Sequence, residues 1–502
     1  MCKLRGLMLL AFAFACSPSR VASPEGSAEV GARTTELPPI EPIRAPFAMP
    51  NLQRPRFPAH RVDLRAFGAQ PGGRENTSAF RRAIESLTQA GGGTLQVPAG
   101  VWLTGPIHLA SHIELYLQRG AEIRFSQRFS DYLPPVLSRW EGLDVYNYSP
   151  LVYARDAEDV AITGEGTLDG QGAAWWPWKQ TQKATAEKLY DLAMAGKPVE
   201  ERVLAVEGGL RPSFVQTVGC KNVLIEGVTL RNGPMWTIHP IYSENVIVRR
   251  VRVETYGPNN DGCNPDSSRN VLIEDSFFST GDDCIVIKSG LNEDGWRVGR
   301  PSENIVVRRV HGERGHGGVV IGSEMSGGVR NVYAYDSEFV GTDRGLRIKS
   351  MRGRGGSVEN IYYERVNHHD LRLLDVEITS AYASSTLVPK SSTPPLIRNV
   401  VVRNLSGSGG QRAIEVLGLP DAPIENVTFE DVSLWAENGA HCTFCRDVRF
   451  RNTHITTQAG PSFAFENSQA IRLDRSCTTP AVCLRSGANS EVLVDGAPPQ
   501  PM

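Results

Sequence analysis

The chain has 502 residues, 40% of them hydrophobic and 22% charged, with a formal net charge of -2. That is an ordinary globular composition, and it excludes the global basic field that marks a nucleic-acid binder. Any polyanion it holds must be met by a local basic cluster.

The first element is a leader. Met1-Cys2-Lys3-Leu4-Arg5 precedes an apolar run from Leu7 to Ala15, a basic segment and a short apolar core that read as a signal peptide over 1–15. It is too short to span a bilayer. Ala13-Phe14-Ala15 fits a signal-peptidase site, and Cys16 after it resembles a bacterial lipoprotein acceptor. The expectation is an exported bacterial protein, secreted or held at the outer membrane by a lipid anchor on Cys16. Residues 16–57 are rich in Pro, Ser and Ala and read as a tether. A single domain is expected over 58–490, followed by a tail at 491–502.

Asn76-Thr77-Ser78-Ala79-Phe80 opens a stretch with helical apolar spacing, a candidate helix capping one end of the core. Gly91-Gly92-Gly93-Thr94-Leu95-Gln96-Val97 leads into strands. An insertion at about 171–209 carries a helical centre from Thr181 to Ala195, flanked by Trp175, Trp176 and Trp178. These indoles fit a sugar-stacking platform or the packing of the insertion.

The middle of the chain repeats. Asn222, Asn245, Asn270, Asn304, Asn331, Asn360, Asn399 and Asn426 each open an alternating β-branched run, in steps of up to 39 residues. No such unit buries its apolar face alone, but stacked units share one core. Stacked asparagines can hydrogen-bond as a ladder. The pattern predicts an all-β fold, a single-stranded right-handed parallel β-helix with an N-terminal capping helix and a helical loop insertion. Of nine cysteines, Cys442, Cys445, Cys477 and Cys483 cluster near the end. In an exported chain they read as disulfides rather than a zinc knuckle, whose second spacing would be too wide. No metal or cofactor is expected.

Asp282 and Asp283 are adjacent, and Asp261 lies upstream. Neighbouring carboxylates repel unless a cation or a shared proton relieves them, so the pair marks a metal site, a solvated turn or acid/base chemistry. The repeat decides. Asp261 lies 16 residues past Asn245, Asp282 12 past Asn270, His316 12 past Asn304 and Arg347 16 past Asn331. Similar offsets in a solenoid mean one edge of successive coils. Carboxylates on both sides of a glycosidic bond are the usual equipment for its hydrolysis, and crowding separates their pKa values. Arg347 and Lys349, two strand positions apart, suit an anionic sugar. His239 reads as structural and Cys284 as core. Lys288, Arg344, Arg352 and Arg354 are open between substrate contact and none.

Asn259-Asn260-Asp261-Gly262, Gly281-Asp282-Asp283-Cys284, Gly315-His316-Gly317 and Arg347-Ile348-Lys349, in that order, resemble the four signature motifs of the polygalacturonases of glycoside hydrolase family 28. The resemblance covers about 60–455. It implies an inverting hydrolysis of α-1,4-galacturonosyl linkages in pectin. Asp282 would be the general acid, Asp261 and Asp283 would activate water, and His316 would support the acid. Asn259, Arg347, Lys349 and Tyr382 would hold the anionic pectic polysaccharide, although the text around Tyr382 departs from the family pattern. The insertion favours exo action, and the resemblance implies a monomer. Two other readings remain: hydrolysis of rhamnogalacturonan or xylogalacturonan, and a pectate lyase on a similar β-helix. A non-enzymatic adhesin is a third.

Overall fold

The computed structural model describes residues 38–382, 391–477, 483–487 and 489–498. The leader and Cys16 lie outside these residues. Among the described residues, no helix is long and apolar enough to cross a membrane.

The repeats stack into a right-handed parallel β-helix. In-register pairing carries Val223 onto Val246, Val271, Ile305, Val332, Ile361, Val400, Val427 and Val448. All nine are buried. Each removes an apolar side chain from water for about 1.5–3 kcal/mol, and none could do so without the coil above and below.

The asparagine ladder forms. Each amide Nδ2 donates to Oδ1 of the preceding asparagine, from Asn426 down to Asn222, at 2.8–3.1 Å. Every one has φ between 51° and 59°, the left-handed region that Asn tolerates better than other side chains. The turn therefore selects asparagine, and the stacking satisfies its amide.

The capping helix runs over Thr77–Gln89 and buries Phe80, Ala83, Ile84 and Leu87 on the open end of the core. Asn76 does not cap it through its side chain. Its amide instead ties Gln70, Arg74 and Leu103 together. The insertion helix spans Lys183–Met194. Trp175 and Trp178 are buried among Phe129, Tyr132 and Tyr148. Packing thus wins over a sugar platform at these two positions.

Three expectations are corrected. From 42 to 57 the expected tether lies on the solenoid: Arg54 pairs with Glu226 at 2.7 Å, the Pro42 carbonyl accepts from Arg308, and Phe47 meets Tyr362. The expected tail contributes a strand, Val492–Val494, paired with Ile471–Leu473. Cys477 and Cys483 form a disulfide, but Cys442 and Cys445 are free thiols. Cys442 stacks in register between Val416 and Phe465 as a small core residue, which keeps it from bridging.

Candidate active site

Asp282 and Asp283 lie in the loop before strand Ile285–Ile287, His316 in the loop before Val319–Gly322, and Arg347 and Lys349 on Arg344–Lys349, three strands paired in parallel in one sheet. Asn260, fully buried, pins the loop that leads in. It accepts from Thr255 Oγ1 and the Gly257 amide, and donates to the Gly233 and Met235 carbonyls. This holds Asn259 and Asp261 on either side of it. Gly315 and Gly317 leave room for the next coil. A Cβ on Gly315 would lie 2.4 Å from the Asp282 carbonyl oxygen, and one on Gly317 3.1 Å from Asp283 Oδ1.

Asp261, Asp282, Asp283, His316, Asn259, Arg347, Lys349 and Tyr382 line a single cleft of about 290 Å³. The structure thus brings together every candidate residue. It also gives them partners. Asp261 Oδ2 accepts from buried Asn264 at 2.7 Å. Asp282 Oδ1 lies 3.0 Å from His316 Nδ1 and accepts from the Asp283 amide. Asp283 Oδ2 accepts from Lys349 Nζ at 2.8 Å, while its buried Oδ1 has no protein partner. Asn259 Oδ1 accepts from Arg211.

The expected cationic pair is therefore not two free sugar-binding groups. Lys349 neutralises Asp283. Arg347 donates through Nε to Glu377 at 2.6 Å, and its guanidinium lies 5.5 Å from the Tyr382 ring. The wider basic strip is also committed: Arg344 pairs with Glu377, Arg352 with Asp421, and Arg354 is buried on Asn292. His239 is structural, fully buried between Ser213, Gln216 and Asp266.

Proton affinities diverge across the carboxylates. Burial and the neighbouring Asp282 charge push Asp261 well above the usual carboxylate range, against the pull of Lys288 and Lys349. Burial would raise Asp282 too, but the His316 bond and charge, with Lys349 and Lys288, outweigh it and hold it at about 2. His316 is raised by the same bond. When the dyad holds a single proton, that proton thus rests on the imidazole.

Sequence reading missed Glu141, Arg211, Trp236, Ser323 and Glu324, and left Lys288 open. Lys288 pairs with Glu324 at 2.6 Å and lies 4.5 Å over the Trp236 ring. Lys288 was signalled by its place at the end of the strand that leaves the Asp282–Asp283 turn. Glu141 had no local signal. It sits on an antiparallel hairpin, Val136–Trp140 and Leu143–Asn147, that folds back over the sheet. Buried Arg139 fixes this hairpin, pairing with Asp266 at 2.8 Å and Asp144 at 3.0 Å. Ser138 adds a bond to Gln216. The hairpin and Lys179 of the insertion both border the cleft.

The chain is a right-handed parallel β-helix whose cleft gathers several carboxylates, and it is a glycoside hydrolase. The model of glycosyl hydrolases family 28 matches residues 89–457, and the chain belongs to that family. It is 33% identical to a probable polygalacturonase of Vitis vinifera over 75% of this chain and 74% of that one. It is 28% identical to an exo-poly-alpha-D-galacturonosidase of Dickeya chrysanthemi, over 84% and 75%. A hyperthermoactive exopolygalacturonase from Thermotoga maritima superposes with a TM-score of 0.73 at 41% identity, covering 85% of this chain and 94% of that structure.

Proposed function

We propose that the chain hydrolyses α-1,4-galacturonosyl linkages of polygalacturonate from a chain end, with inversion. The observation that carries this reading is the cleft itself. Three carboxylates in three different environments share it with cations and with a wall made by the hairpin and the insertion. The Dickeya and Thermotoga relatives, both exo-acting by name, support action from a chain end, and the family resemblance supports inversion.

In this mechanism Asp282 gives its proton to the leaving oxygen. The His316–Asp282 dyad carries one proton. A sugar that fills the cleft displaces water, and a drier site favours the neutral pair of carboxylic acid and imidazole over the ion pair. That moves the proton onto Asp282 as substrate binds. Asp283, paired with Lys349 and with Oδ1 unpartnered, accepts a proton from the attacking water. Asp261 completes the water site, oriented by Asn264. Tyr382 and Arg347 form the adjoining sugar-binding edge, and Arg211 orients Asn259 toward it.

Incubation with polygalacturonate tests this. Reducing ends should appear without ultraviolet-absorbing unsaturated product, resist chelators, and accumulate as monomer or dimer from the start. A ladder of oligomers would exclude exo action, an unsaturated product would establish a lyase, and Asp282→Asn should remove nearly all turnover. Silence on polygalacturonate with cleavage of a branched pectic polymer would move the substrate within the family. The leader supports export with lipid on Cys16; a cytosolic, unlipidated product after expression in a bacterial host would overturn that.

A further inference from the structure

The hairpin tip carries a carboxyl group that the proposed mechanism does not use. Glu141 and Gly142 form its two-residue turn, with φ of 42° and 82°. Such turns favour Asn, Asp or Gly, because both residues take a left-handed backbone. Glutamate at the first position is an uncommon choice for such a turn. The tip is also immobilised. A Cβ on Gly142 would stand 3.1 Å from the Glu324 Cβ and 3.2 Å from the Gly290 carbonyl carbon. Glu141 is thereby fixed in the same cleft as Asp261, Asp282 and Asp283.

The charged groups around it are Lys179 and Arg211 from the insertion and its edge, and Lys288 and Glu324 from the coils. Lys288 is committed to Glu324. Arg211 is spent on Gln182, Asn259 and the Pro234 and Pro258 carbonyls. On the hairpin itself, Arg139 and Asp144 pair with each other. Among the described residues, none hydrogen-bonds to the Glu141 carboxyl, so the group faces the cleft with its bonding capacity unspent.

We propose that Glu141 is a specificity-determining residue that meets the terminal galacturonate at the walled end of the cleft as a neutral carboxylic acid, donating its O–H to the sugar carboxylate. This rests on the galacturonan reading above and adds to it how the wall recognises an acidic terminus. Burial pushes the Glu141 carboxyl up to about 7, with Lys179 opposing and Glu324 adding. An anionic sugar beside it pushes the same way. An ionised Glu141 repels that sugar, so binding draws one proton from solvent onto the carboxylate.

Titration calorimetry with galacturonic acid, in two buffers of different ionisation heat, tests the proposal on the whole chain. At pH 7 the wild type should take up roughly half a proton per sugar bound. Affinity should weaken by roughly tenfold between pH 6 and pH 8. Glu141→Gln, neutral at every pH, should lose this component of the uptake. The methyl ester of galacturonic acid, which has no carboxylate, should bind the wild type without it. The proposal is overturned if the wild type takes up no proton, if Glu141→Gln takes up as much, if the ester behaves like the acid, or if galacturonic acid does not bind. The ester comparison needs no variant, so a misfolded Glu141→Gln leaves the test intact. Reducing-end release from polygalacturonate by the wild type is scored separately and decides the hydrolase reading.

Discussion

His316→Gln is the sharpest probe of the proton-sharing dyad. The replaced contact is 3.0 Å long, between a half-exposed imidazole and a mostly buried carboxylate. Asp282 is held at about 2 against an ordinary 3.8, a gap worth about 2.4 kcal/mol. Lysines share that effect and solvent screens His316, which leaves roughly 1 kcal/mol for the imidazole. The expected stability loss is of that size and has a pH window. The imidazole pKa is raised, so its contribution is present below 6.5 and lost as pH rises through the raised value. The Asp282 pKa is depressed, so its contribution is present above 3.8 and lost as pH falls toward 2. Both conditions hold between about pH 4 and 6.5. The kinetic effect is distinct. On the alkaline side, wild-type kcat/KM should fall above pH 6.5, where the dyad gives up its proton. In the Gln variant Asp282 must hold the proton alone, and the alkaline limb should move down by about one pH unit or more. Initial rates on polygalacturonate across pH 3 to 9 measure this. A variant that keeps the wild-type alkaline limb would refute the shared proton.

Arg139→Met should destabilise the chain by about 3–5 kcal/mol, because Asp266 and Asp144 would keep buried charges without their cation; urea unfolding reads this, and a loss below 1 kcal/mol would contradict the hairpin clamp. The same variant should broaden the product profile if the hairpin is the exo wall. Asn304→Ala should cost roughly 3 kcal/mol, from two ladder bonds and a left-handed backbone without asparagine. Asn304→Gly should cost about 1 kcal/mol less. Equal losses in the two would show that backbone conformation is not what the turn selects.

The fold was legible because a solenoid writes the same physical problem into each coil. A left-handed turn that must also satisfy a side-chain amide leaves asparagine as the answer, and Asn222 to Asn426 spell it out. The candidate residues that share the cleft were legible through their offsets from those asparagines. What stayed hidden were the pairings across coils. Lys349 answers Asp283 from 66 residues away and Arg139 answers Asp266 from 127, and nothing local announces either. The hairpin was hidden for a further reason: Val136-Leu137-Ser138-Arg139-Trp140 reads like any coil strand, and only its antiparallel return sets it apart. Cys442 and Cys445 misled because their spacing imitates a bridging motif while their strand positions point them into the core.

The asparagine ladder has a direction, and one residue sets it. An amide can face either way, but a carboxylate only accepts. Asn222 donates to Asp159 at 2.9 Å, so its oxygen must point toward Asn245, whose nitrogen must answer, and so on through Asn426. Eight amide dipoles are thereby aligned head to tail along one edge of the molecule, and their positive end falls on Asp159. That carboxylate, shared with His112 at 3.2 Å, terminates the row as an acidic side chain terminates the start of a helix. Exchanging Asp159 for a donor such as lysine would leave Asn222 facing a second donor, a conflict relieved only if every amide in the row reverses together.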